Sequence, residues 1–135
     1  MGWIEPKTDW TSEDAFDYVS YNRVIGNITY LKAYAATLFN QLTDLSLGEE
    51  KSNLSLIYAR EMNAIEDGLD RLNIETHGLD IGEKKTYKAN GNVPLYDEYN
   101  RIESACLRLY ISLQAQKEAL PRLAFTLGSQ KGIRV

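Results

Sequence analysis

Few side chains in this sequence are able to do chemistry, and their spacing decides against most reactions. His77 is the one histidine, so a Ser-His-Asp or Cys-His nucleophilic system would have to be assembled around it. It lies in a Thr76-His77-Gly78 loop segment, and no catalytic role is expected of it. Cys106 is the one cysteine. It cannot form an intrachain disulfide and falls on the apolar seam of a helical segment, where a small core hydrophobe is expected rather than a reactive thiol. Neither a cysteine pair nor an acidic calcium loop appears, so no metal site is expected. Gly82-Glu83-Lys84-Lys85-Thr86 has the look of a phosphate loop, but Gly78 stands one residue too close to Gly82 and no apolar strand leads in. Glu49 with Glu50, and Asp67 with Asp70, are paired acids of the kind glycosidases use, yet on helices this acidic they are expected to be a solvated face. Asn27-Ile28-Thr29 and Asn53-Leu54-Ser55 match the glycosylation sequon and carry no weight without a secretion signal. The expectation is a non-enzymatic chain with no catalytic, metal-ligating or cofactor-binding residue.

The bulk properties agree with that. The chain has 135 residues, 44% of them hydrophobic and 25% charged, with a formal net charge of -4, which is the composition of one ordinary globular domain. The acidic balance argues against a nucleic-acid partner, because phosphate backbones need clustered Lys and Arg. The only basic knot, Lys84, Lys85 and Lys88, is diluted by Asp80 and Glu83. No apolar stretch approaches the length of a membrane span. The opening Met1-Gly2-Trp3-Ile4-Glu5-Pro6-Lys7 puts an acid and a proline where a signal peptide carries its apolar run. Pro6 also occupies the place where N-myristoylation wants Ser or Thr.

Three segments carry a helical period. Tyr21, Val24, Ile28, Leu31, Ala35, Leu38 and Leu42 are spaced alternately three and four apart. Tyr58, Met62, Ile65, Leu69 and Leu72 follow the same rule, as do Tyr99, Ile102, Cys106, Leu109, Leu113, Gln116 and Leu120 with one polar exception. Three helices packed along narrow seams account for this pattern, whereas strands would need period two. Thr11 or Ser12, followed by Glu13 and Asp14, forms one helix start and Asp17 a second. Gly48 separates the first two segments, with Glu49 and Glu50 suited to an opening turn. Residues 73–94 read as a long loop that either stays irregular or folds a short hairpin about Lys85-Thr86-Tyr87 and Asn90-Gly91. After Pro121 the chain reads as an extended arm able to pair as a strand.

The helices also repeat in sequence. At an offset of 78, Tyr18, Tyr21, Asn22, Arg23 and Leu31 match Tyr96, Tyr99, Asn100, Arg101 and Leu109, with Val24 against Ile102. The middle segment joins through Met62, Asn63, Ile65, Leu69 and Leu72. The shared pattern is an apolar seam residue, then Asn, then a Val or Ile two further on, with Glu66 and Glu103 following it in the second and third copies and Ile25 in the first. Asn is a poor interior helix residue because its amide competes for backbone hydrogen bonds, so three recurrences at one register predict a specific partner. That partner is expected to be a neighbouring extended segment fastened to the helix. Simple duplication followed by drift is the competing account. Trp3 and Trp10 bracket Pro6 in a stretch with no helical period, and large aromatics on such an arm dock either on a partner or back over the chain's own bundle.

The opening Trp3-Ile4-Glu5-Pro6-Lys7-Thr8-Asp9-Trp10, with Phe16, Asp17, Tyr21-Asn22-Arg23-Val24, Asn27-Ile28 and Leu31, resembles small structural proteins encoded in tail-morphogenesis regions of phages and prophages of Gram-positive bacteria. Those show Pro-Lys-Thr-Asp-Trp followed by Asp-Tyr-Asn-Arg-Ile-Glu-Asn-Asn-Ile. This chain departs at Ile25 and Gly26, where Glu and Asn are usual, and Arg101-Ile102-Glu103 restores the pattern in the last copy. The resemblance covers residues 3–31 and 93–109, under half the chain. It implies a virion component without catalytic residues, assembling with itself and with neighbouring virion proteins, found in the virion and in the host cytoplasm during assembly.

The reading is therefore an all-α three-helix bundle in one domain: an N-terminal arm over 1–11, two helices within 12–72, a loop over 73–94, a third helix over 95–120 and a C-terminal arm over 121–135. The first helix is expected to run about 26–30 residues, roughly 40 Å. The function expected is that of a tail or baseplate structural subunit forming a homo-oligomer, with no membrane partner. A head, connector or neck component and an intracellular helical adaptor unrelated to phages are the alternatives. Trp3, Pro6, Trp10, Tyr21, Asn22, Arg23, Tyr99, Asn100 and Arg101 are the expected interaction residues.

Overall fold

The computed structural model describes residues 2–53, 56–89, 91 and 94–134, with side chains as far as residue 119. Three helices are present: α1 (Tyr18–Ala36), α2 (Ala59–Glu75) and α3 (Tyr96–Arg134). Each packs on the other two, and no strand occurs among the described residues. The seams meet in one core, in which Tyr21, Ile28, Leu31, Ile65, Leu69, Leu72, Ile102, Leu109 and Leu113 are at most 1% exposed.

The helices run parallel. Near their N-terminal ends Arg23 of α1 pairs with Glu103 of α3, and Arg101 of α3 pairs with Glu66 of α2. Past the opposite ends of α1 and α2, Phe39 lies edge-on to His77, whose Nε2 is 2.5 Å from Gln116 Oε1. Parallel neighbours cannot be joined by tight turns, so each connection must return along the whole length of a helix. Residues 37–58 and 76–95 do this.

This requirement corrects the expected helix bounds. α1 is 19 residues long, not 26–30, because the return has to begin once the helix has crossed the core. Thr37 caps it, its hydroxyl donating to Tyr34 O at 2.6 Å. Leu38 and Leu42 still pack on the core, but from the returning chain. At the other end Asp17 is the N-cap, accepting from Ser20 N at 3.0 Å. Thr11 and Asp14 form a separate turn, with Thr11 N donating to Asp14 Oδ2 at 2.9 Å. Glu49 and Glu50 do not open α2, because the backbone of Lys51 beside them is held by Asn22. The helix starts eight residues later, where the Glu61 carboxylate accepts from Tyr58 N at 2.9 Å.

Two more expectations fall here. Gly91 N bonds to Lys88 O at 2.9 Å, closing a turn, but the 79–89 stretch lies extended against helices and forms no ladder. The other residue of the expected turn, Asn90, lies outside the described residues. The segment 121–134, expected to be extended, continues α3. Leu113, Gln116, Leu120, Leu123 and Leu127 keep the three-four spacing across Pro121, so the pattern that specifies helix does not stop there.

Candidate functional site

Three parallel helices leave three grooves, and an extended arm lies in each. Arm 43–51 runs between α1 and α2, arm 79–87 between α2 and α3, and arm 2–10 between α3 and α1. Each runs against the direction of its helices, and each is fastened where it passes an Asn near a helix N-terminus.

The fastening has one geometry. Asn22 Oδ1 accepts from Lys51 N at 2.7 Å while its Nδ2 donates to Lys51 O at 2.9 Å. Asn63 holds Tyr87 the same way at 2.7 and 2.8 Å. Asn100 holds Trp10 at 2.7 and 3.0 Å. A side-chain amide offers one acceptor and one donor in a plane, which matches the N–H and C=O of a single extended residue. These three Asn are the ones that recur in the sequence, and every helix holds the arm that leads into the next one, with α3 holding the arm that leads into α1. The cycle is closed. Asn27 repeats the clasp on Ile4, at 2.9 and 2.7 Å, and Asn73 on Leu79, at 2.9 and 2.7 Å.

A buried carboxylate sits beside two of the clasps. Glu103 is 1% exposed. It accepts from Trp10 Nε1 at 2.6 Å, Lys7 N at 3.0 Å, and Arg23 Nε and Nη2 at 2.7 Å each. Glu66, 2% exposed, accepts from the Tyr87 hydroxyl at 2.7 Å and from Arg101, which also bonds Glu98 at 2.8 Å. Burial and the bond to Glu66 push the Tyr87 hydroxyl up from its ordinary pKa. In each case a clasped aromatic and an Arg from the next helix meet on one Glu. By register the third such place belongs to Ile25 and Ala64, so the acid and the base are both absent there. The clasped residue at that place is Lys51, whose ammonium turns to Glu61 at 2.7 Å.

The expected interaction residues thus fall into place within the chain. Trp10 is 4% exposed, with Tyr99 5.3 Å and Phe16 5.6 Å away. Trp3 stacks on Tyr110 at 4.2 Å, Pro6 is buried in the same groove, and Tyr99 stacks on Phe16 at 4.1 Å. Pro suits a buried arm position, because it brings no N–H that needs a partner. Of the two dockings open to the arm, the structure has it folded over its own bundle. Tyr21 is wholly buried and its hydroxyl is unpartnered. It lies over Gly48, where a Cβ would come within 2.4 Å of the Tyr21 hydroxyl oxygen. Burial pushes that hydroxyl up to about 12.

Sequence reasoning left Glu66, Glu103, Asn27, Asn73 and Tyr87 without a role. A signal existed for the acids: Glu66 is four residues after Met62 and three before Leu69, a position inside the apolar stripe where a charge needs a partner.

Other chemistry is sparse. His77 is edge-on to Phe39 with its Nε2 against Gln116 Oε1, and its Nδ1 is buried without a hydrogen-bond partner. Burial drives the Cys106 thiol up, away from the reactive thiolate. No cluster of three or more His, Cys, Asp or Glu fit to hold a metal occurs among the described residues, and no helix among them is long and apolar enough to cross a membrane. A broad cleft of roughly 970 Å³ opens at the N-terminal end, lined by residues that include Phe16, Tyr18, Tyr58, Met62 and Tyr99. Its charged members are Asp17, which caps α1, and Arg60 and Lys88. Leu56 and Tyr58, which line it, are 69% and 45% exposed, and Val19, Leu95 and Tyr96, close in sequence to the lining residues Tyr18 and Pro94, are 52%, 61% and 40% exposed. In comparisons with protein-family models, curated proteins and solved structures, nothing matches this chain.

Proposed function

We propose that this chain is a non-enzymatic structural subunit of a phage or prophage virion, from the tail or baseplate region, that assembles with copies of itself and with neighbouring virion proteins. The observation that carries the assembly reading is the apolar end of the bundle. Parallel helices bring Val19 of α1, the residues ahead of α2 and the first residues of α3 to one end, so five large hydrophobic side chains stand exposed there, Leu56 and Tyr58 of them lining an open cleft. Grouped exposure of this kind marks a surface that another protein covers.

Placement in a virion tail rests on the sequence resemblance, and the fold gives that resemblance a physical content. Trp10, Arg23, Asn100 and Glu103, which help to carry it, meet in the α3–α1 groove, while Asn22 clasps Lys51 and Arg101 pairs with Glu66 in the other two. Residues used in this way hold the shape of the bundle. Nucleic acid and membrane are not among the partners proposed, and the subunit resides in the virion, passing through the host cytoplasm during assembly.

Size-exclusion chromatography with light scattering over a range of chain concentrations tests the assembly. Discrete multiples of 15.3 kDa are expected, and they should fall apart when Leu56 and Leu95 are changed together to Ser. A monomer at every concentration would overturn self-assembly.

A further inference from the structure

The three arms differ in one respect that the pseudo-symmetry hides. Arms 43–51 and 79–87 each connect two helices of the same bundle, so neither leaves its groove without dragging a helix along. Arm 2–10 lies ahead of α1 and is joined to it by residues 11–17. That linker is exposed from Thr11 through Ala15, and its fixed points are the Thr11–Asp14 turn, the Phe16 ring on Tyr99 and beside Trp10, and the Asp17 cap. Fully extended, seven residues reach about 24 Å.

We propose that copies of this chain associate by exchanging arm 2–10, so that the arm of one copy fills the α3–α1 groove of another. The proposal rests on the reading of the chain as a self-assembling subunit and adds a second contact between copies to the one at the apolar end. The occupant is identified by the groove itself. Asn100 and Glu103 on α3 hold Trp10 and Lys7, Tyr110 takes the Trp3 ring, and Asn27 takes Ile4. The same segment of a second copy presents the same atoms in the same order.

An empty groove is strongly disfavoured. Losing the arm would strip two donors from the buried Glu103 and uncover the slot of Trp10. An arm therefore leaves its own groove only for another. Exchange conserves every arm–groove contact, so concentration and linker strain set the balance. Reciprocal exchange closes a dimer, and one-way exchange extends a chain.

Mixing an Ile4→Cys chain with an isotope-labelled Asn27→Cys chain under mild oxidation tests this, since the two positions meet only where an arm lies in a groove. Native Cys106 is buried and stays silent. The expected result is a disulfide between positions 4 and 27 of different chains, identified by its labelled peptide, with a yield that rises with concentration. Crosslinks confined to single chains in an Ile4→Cys/Asn27→Cys variant, with none between chains, would overturn exchange. If oligomers persist in that case, the assembling-subunit reading stands without it.

Discussion

Replacing Glu103 by Gln removes one charge from the centre of the α3–α1 clasp and leaves the side-chain shape unchanged. In the native chain each carboxylate oxygen accepts twice: Oε1 from Lys7 N and Arg23 Nε, Oε2 from Trp10 Nε1 and Arg23 Nη2. A glutamine keeps one acceptor oxygen and turns an NH2 toward the two remaining donors. Arg23, itself only 14% exposed at its side chain, loses its counter-charge. Breaking a buried pair from one side costs about 3–5 kcal/mol, out of a total domain stability on the order of 5–15 kcal/mol. For a chain of this size that corresponds to a melting temperature lower by about 10–20 °C. Circular dichroism at 222 nm during heating measures it, and a shift of less than about 3 °C would refute the reasoning. The Ile25 and Ala64 register supplies a companion experiment. Arg23→Ala with Glu103→Ile copies that pair, removes both charges together, and should leave a smaller deficit of about 1–3 kcal/mol from the orphaned Lys7 and Trp10 donors. A double variant no better than Glu103→Gln would show that the pair does not act as a unit.

The remaining expectations follow from the same groups. Asn22→Ala, Asn63→Ala and Asn100→Ala each strand one N–H and one C=O of an arm and should cost about 1–3 kcal/mol in urea unfolding, whereas no change at all three would mean that the arms hold without the amides. Tyr21→Phe removes a buried hydroxyl that has no partner and should be neutral or stabilising by up to about 1 kcal/mol. With the Tyr21 hydroxyl raised from 10 to about 12 by burial, folding favours its neutral form, so that stability is fully present below pH 10 and is lost as the pH rises toward 12. Tyr21→Phe should flatten the loss in alkaline unfolding curves, and an unchanged slope would contradict the burial. Cys106 should react with a thiol reagent only as fast as the chain unfolds, and rapid labelling of the folded chain would contradict its position in the core.

Much of the architecture is legible in the residues. The three-four spacing marks the three seams, and the recurring Asn at one register points to a fastener because a helix interior gives that residue no other reason to recur. Helix direction is not legible in this way, since a heptad pattern reads the same for parallel and antiparallel neighbours. Leu38 and Leu42 extend the α1 pattern although they belong to the returning chain, because apolar spacing records burial and not the backbone path. The arms were hidden for a different reason. Trp10, Lys51 and Tyr87 occupy equivalent clasps, yet the Asn grips only their backbone and imposes no side-chain identity. What remained visible was distance: Asn22, Asn63 and Asn100 follow their clasped equivalents Trp10, Lys51 and Tyr87 by 12, 12 and 13 residues. The intrachain docking of Trp3 and Trp10 was not legible, because a Trp on an arm looks alike whether its groove is its own or a neighbour's.

We propose that this chain is part of a tail or baseplate. Gold-labelled antibody against the purified chain, applied to intact phage particles induced from cells that carry its gene and viewed by electron microscopy, tests this most directly. Label is expected at the tail or its distal end. Label on the head or neck would move the subunit elsewhere in the particle, and particles without label or peptides of the chain would contradict the virion assignment.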